Sequence, residues 1–217
     1  MNRQQVLDLV GGLPGKAIAA VWEASAPISA LELRPGVYLG RNGGMPAPLK
    51  WMVRNVVGRD WFAKLVLDGY GVNVRCFQDG SHRFRPSARV PDGVEVDMPF
   101  RPTDLGLDYG LHVLGADVPL ALQFRDHLRR IEFRLLPELV PEEHLARVGV
   151  RRGDPCEEAD LVLGYMAPLG IERLMSTPFG MVWRRDPEPA EVASAEEYIG
   201  RGRLLDSGCG RRAARRA

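Results

Sequence analysis

The apolar residues of this chain change period near residue 31. Before it, Val6, Leu9 and Val10, then Ile18, Val21 and Trp22, recur every three to four positions on either side of the breaker GGLPG, residues 11–15. That spacing predicts two packing helices. Beyond it the period falls to two. LRPGVYLGR opens the series, with Gly36, Tyr38 and Gly40 on one face and Val37 and Leu39 on the other, so an aromatic stands with bare backbone on both sides. DWFAKLVL and GVNVRCF alternate around DGYG, a hairpin signal. HRFRPSARV and VEVDMPF flank a second turn at Asp92 and Gly93, and LGLDYGLHVL sets Leu105, Leu107, Tyr109, Leu111 and Val113 on one face. ADLVLGYMAPL and FGMVWRRD read as the last two strands. Many short strands at this spacing predict a mainly β, antiparallel fold, a sandwich or a closed barrel, and not a parallel α/β sheet.

PLALQFRDHLRRIEFRLLPEL reads two ways. Leu120, Phe124, Leu128, Ile131 and Leu135 form a helical stripe, which predicts a helix through Arg130, whereas IEFRL alternates like a strand and leaves residues 131–136 open. The chain divides into an N-terminal helical segment, 1–30, a β domain, 31–186, and a C-terminal stretch, 187–217. SAEEYI from Ser194 has the form of a capping box, predicting a last short helix before a disordered tail. LKWMVRNVV, around Trp51, reads as a short helix or a lid over whatever the strands enclose.

Composition narrows the partners. Among 217 residues, 45% are hydrophobic and 26% charged, as in a globular protein able to fold alone. The four arginines of the closing RRAARRA more than account for the net charge of +1, so the rest is mildly acidic. A nucleic-acid partner, which needs a basic face on the folded part, is therefore not expected. No apolar run is long enough to predict a membrane span. Cys76, Cys156 and Cys209 are odd in number and far apart, which fits reduced thiols and a cytoplasmic location.

Few residues announce chemistry. His82, His112, His127 and His144 include no pair at zinc-site spacing, and GGLPGKA has one residue too few before Lys16 for a phosphate loop. No cofactor is expected. Asp108 and His112 share a face, but four residues of strand separate them by about 13 Å, too far for a dyad. Lys64 stands out. It shares a face with Phe62 and Val66 in a strongly apolar strand, and if that face is interior, the amine must be paired or have its pKa lowered. Trp61, Ala63, Leu65 and Leu67 compete as the interior face, and that slightly favoured arrangement makes Lys64 a surface charge.

GVYLG is similar to the Gly-x-Trp-x-Gly signature of the bacterial GXWXG domain family, with tyrosine for tryptophan, and DWFAKLV resembles the Trp-aromatic-Gly-Lys-Phe element that follows it, with Ala63 for glycine. LVLGYMAPLG and PFGMVWRRD resemble the end of the companion C-terminal domain of unknown function. The resemblance spans roughly residues 30 to 186. It implies a small lipocalin-like β-barrel in which the glycine-aromatic-glycine strand closes the floor, and it supplies no catalytic residues. Such a barrel, with N-terminal and one or two flanking helices, is expected to bind a small hydrophobic or lipid-like molecule among some of Tyr38, Trp51, Trp61, Tyr109 and Tyr165, with Lys64 if it points inward. A polar group buried among the aromatics favours instead a cofactor-independent enzyme of isomerase or cyclase type. No cavity favours an interaction protein with a filled core.

Overall fold

The computed structural model describes residues 1–44, 63–77, 81, 83–113, 121–168 and 177–200. Trp51 and its segment, Trp61, Cys209 and the arginine-rich tail lie outside the described residues. Two helices, α1 (Arg3–Gly12) and α2 (Gly15–Ala24), lead into β1 (Ala26–Pro27) and a 3-10 turn, Ala30–Glu32. Eight strands follow: β2 (Gly36–Asn42), β3 (Ala63–Leu67), β4 (Tyr70–Val74), β5 (Val96–Thr103), β6 (Gly106–Val113), β7 (Ala121–Glu132), β8 (Asp160–Pro168) and β9 (Thr177–Arg185). Each pairs antiparallel with its neighbour in sequence, and β9 returns to pair with β2, closing an eight-stranded meander into a barrel. The short β1 adds to β7. This is the expected mainly β, lipocalin-like architecture with flanking helices. Closure leaves the eight strands no free edge, which removes the unpaired backbone that open sheets must protect.

Side chains sort by the pleat. Tyr38, Val66, Phe100, Leu107, Tyr109, Leu128, Val162, Phe179 and Met181 meet inside the barrel. Outside β8 and β9, Leu161, Leu163 and Val182 pack under α1 and α2. Outside β2, β3 and β4, Val37, Ala63, Leu65, Val72 and Val74 pack with Ala195 of the C-terminal helix α5 (Pro189–Tyr198). The α1 helix starts from a capping box between Asn2 and Gln5, and Arg129 Nη1 donates to the carbonyls of Trp22 (2.7 Å) and Ser25 (3.2 Å) where α2 ends.

Several expectations need correction. Residues 121–132 are a strand, not a helix, and only beyond it does the chain coil, through a 3-10 turn (Phe133–Leu135) into α3 (Leu136–Leu139) and then α4 (Glu142–Arg147). The stripe from Phe124 to Ile131 mixed two faces: Phe124 and Leu128 pack inward and Ile131 outward. Arg83–Val90 contributes only isolated bridges, Cys76 with Phe84 and Pro86 with Val94. Leu105 sits exposed in the β5–β6 turn. The last helix begins at Pro189, with its capping box on Glu188 and Glu191, while Ser194 lies inside it, buried, and accepts from the Val94 amide.

Candidate functional site

The β3–β4 hairpin, turning at Asp68 and Gly69, sets Lys64 opposite Asn73, and β2 sets Tyr38 on the other side of Lys64. Because Ala63, Leu65 and Leu67 pack outward, Lys64 points inward with Val66 and is fully buried. This reverses the favoured assignment of faces. The face with the alanine and leucines is indeed buried, but beneath a helix and not inside the barrel. A lysine there needs partners. Its Nζ donates to Asn73 Oδ1 at 2.9 Å and to the Tyr109 hydroxyl, and lies 3.1 Å from Asp126 Oδ2. Tyr109 in turn donates to the same Asp126 oxygen at 2.6 Å.

Aromatic rings enclose the group. Lys64 Nζ lies 4.9 to 5.4 Å from the centroids of Tyr109, Phe100 and Phe179, within cation–π reach of all three. Phe100 meets Tyr109 edge to face at 5.5 Å. Burial lowers the Lys64 pKa, with Asp126 pulling the other way, and burial followed by the Asp126 charge pushes the Tyr109 phenol well above its ordinary range. Asp126 Oδ1 and Asn73 Nδ2 are buried without a hydrogen-bond partner among the described residues. A buried polar atom left unmatched is costly, so two in one group call for an explanation. Gly106 holds the arrangement from behind: its φ is +135°, and a Cβ there would collide with the Asp126 carbonyl.

Tyr38 lines the same interior, but its hydroxyl donates to the Arg34 carbonyl at 2.9 Å, away from the lysine group. Desolvation pushes its pKa up to about 12 against the pull of Arg130 and Arg34. The flanking Gly36 has φ +149°, and a side chain there would run into the Trp183 ring and, at 2.7 Å, the Arg185 carbonyl. The bare backbone beside Tyr38 is thus filled by a tryptophan from β9, itself covered by the Arg34 guanidinium at 3.8 Å. Tyr165 faces outward, edge to face with Trp22 at 4.5 Å, and is not part of the Lys64 group. Trp51 and Trp61 lie outside the described residues.

Asp126, Asn73, Phe100 and Phe179 were not foreseen as site residues. Asn73 had a signal, since a two-residue Asp-Gly turn dictates the register that places it across from Lys64. Asp126 had none while its strand was read as a helix.

No protein-family model, curated protein or solved structure matches the chain. Among the described residues, no helix is long and apolar enough to cross a membrane, and no group of three or more His, Cys, Asp or Glu is placed to hold a metal ion.

Proposed function

We propose that the barrel interior takes up a small, largely hydrophobic or lipid-like molecule that carries one polar group. A β-barrel is compatible with such a guest. The observation that carries the proposal is the Lys64–Tyr109–Asp126–Asn73 group, closed in by Phe100 and Phe179, with a carboxylate oxygen and an amide nitrogen unmatched. A core built only for stability would gain by being apolar there, because a buried ion pair seldom outperforms well-packed hydrophobic side chains. In a binding site the same atoms orient a guest's carbonyl or hydroxyl. Cys76 and Cys156, which form no disulfide with each other, support a cytoplasmic setting, and the Gly36–Tyr38–Gly40 strand supports divergent membership of the GXWXG family.

The same group, polar atoms buried among aromatic rings, is also the feature expected to favour a second reading. Amine, phenol and carboxylate joined by hydrogen bonds can relay a proton, which is what a cofactor-independent isomerase or cyclase acting on such a guest requires.

Native mass spectrometry of protein from its own host is expected to show a bound hydrophobic species that is released on denaturation. Protein that is always empty and that also fails to take up an environment-sensitive hydrophobic dye would reject both readings in favour of an interaction protein with a filled core.

A further inference from the structure

The chain has 29 basic side chains, of which only Lys16, Lys50 and Lys64 are lysines; the rest are arginines. The cation buried inside the barrel is nevertheless a lysine. An arginine would supply charge and more hydrogen bonds, but it stays protonated and is no nucleophile, whereas a primary amine shielded from water can lose its proton and attack. Around this amine lie the groups that condensation with a carbonyl compound needs. Tyr109 touches both the amine and Asp126, so it can carry a proton between nitrogen and oxygen. Asp126 lies 3.1 Å from the nitrogen, where it can neutralise a cationic product. The unmatched Nδ2 of Asn73 is a donor for the carbonyl oxygen of the guest.

We infer that Lys64 captures an apolar aldehyde or ketone as an imine, with Asp126 as its counter-ion. The inference rests on the proposed uptake of a small apolar guest. Lys64 Nζ first gives one of its three protons to Asp126; the neutral amine then adds to the carbonyl carbon, forming the C–N bond as the C=O π bond opens, and the proton held by Asp126 passes to the carbonyl oxygen. The resulting hydroxyl leaves as water with a second nitrogen proton relayed by Tyr109, and the C=N bond forms. Two of the three ammonium protons thus depart with the carbonyl oxygen and the third stays on the imine nitrogen. An ammonium–carboxylate pair becomes an iminium–carboxylate pair, with no net change of charge and no oxidant or reductant. The lowered pKa of Lys64 supports the first step by raising the share of free amine near neutral pH.

The test treats the full-length protein with 2-naphthaldehyde and sodium cyanoborohydride, which fixes an imine as a stable amine, and maps the modified peptide. Binding of unreactive 2-naphthylmethanol is followed in parallel by naphthalene fluorescence. One naphthylmethyl group on Lys64, formed ahead of any on Lys16, Lys50 or the N-terminus and suppressed by excess 2-naphthylmethanol, is the expected result. Asp126→Asn keeps the side-chain shape but removes the counter-ion that holds the iminium protonated, the form that cyanoborohydride reduces, and is expected to slow labelling of Lys64 about tenfold even though it lowers the amine pKa further. If 2-naphthylmethanol binds saturably but Lys64 stays unlabelled, covalent capture is wrong and uptake of an apolar guest stands. If neither probe enters, uptake itself fails and capture with it.

Discussion

Two buried carboxylates divide the molecule into a part that is finished and a part that is not. Glu191, on α5, is 3% exposed and completely engaged: Arg185 donates to its two oxygens at 2.7 and 2.9 Å, and the Glu188 amide adds a third bond at 2.8 Å. This fork-to-fork pair fastens the last helix to β9 and asks for nothing more. Asp126 is 0% exposed, yet both of its donors, Lys64 and Tyr109, crowd one oxygen and leave the other empty. The outer pair has the geometry of a fastener. The inner one has spare hydrogen-bonding capacity, held at a cost in stability, and it is the feature on which the proposed guest site rests.

The contrast can be broken from the inside first. Asp126→Leu keeps the branching of the side chain but strands the lysine, and is expected to cost about 3–5 kcal/mol in urea unfolding. Adding Lys64→Met removes both charges and should return stability to within about 1 kcal/mol of wild type or above it. A double variant as unstable as the single would show the ion pair to be structural after all. From the outside, Glu191→Gln loses one arm of the fork and should cost about 2 kcal/mol, since Arg185 is partly exposed, with no recovery in any partner substitution that merely removes Arg185. The smallest effect is a pH slope. Folded Lys64 binds its proton less tightly than the unfolded side chain at 10.5, so between its lowered pKa and that value the unfolded state holds more protons and wild-type stability rises with pH. Wild type should therefore gain stability relative to the double variant as pH is raised through the lowered Lys64 pKa towards about 10, beyond which the raised Tyr109 pKa acts in the opposite sense. A gap that stays constant over that range would mean Lys64 does not titrate below its ordinary value.

Most strands were legible from their alternation and the β3–β4 hairpin from its Asp-Gly turn, but the pattern left a sandwich or a closed barrel, and only the family resemblance pointed to the barrel. Tyr38, Lys64 and Tyr109 were visible as aromatic or ionic exceptions within clear strands. Asp126 was hidden by the same property that makes it interesting. On an inward face the period calls for an apolar residue, and a carboxylate there broke the alternation of Phe124, Leu128 and their neighbours enough for a helical stripe to fit better. The two faces of β3 were indistinguishable by pattern because both are buried, one by the barrel and the other by α5, whose packing no local signal reveals.

The ring is closed by its first and last strands, with Val37 of β2 meeting Arg185 of β9. A ribosome delivers these in order, so Lys64, Asn73, Tyr109 and Asp126 all emerge before the strand that completes the wall. Their charges therefore first meet on an open, hydrated sheet, where pairing them is cheap and reversible. Dehydration of the pair is deferred to the moment β9 docks and Trp183 settles over Gly36. The chain thus makes its most expensive burial coincide with its longest-range strand pairing, the one that carries the largest loop-closure cost.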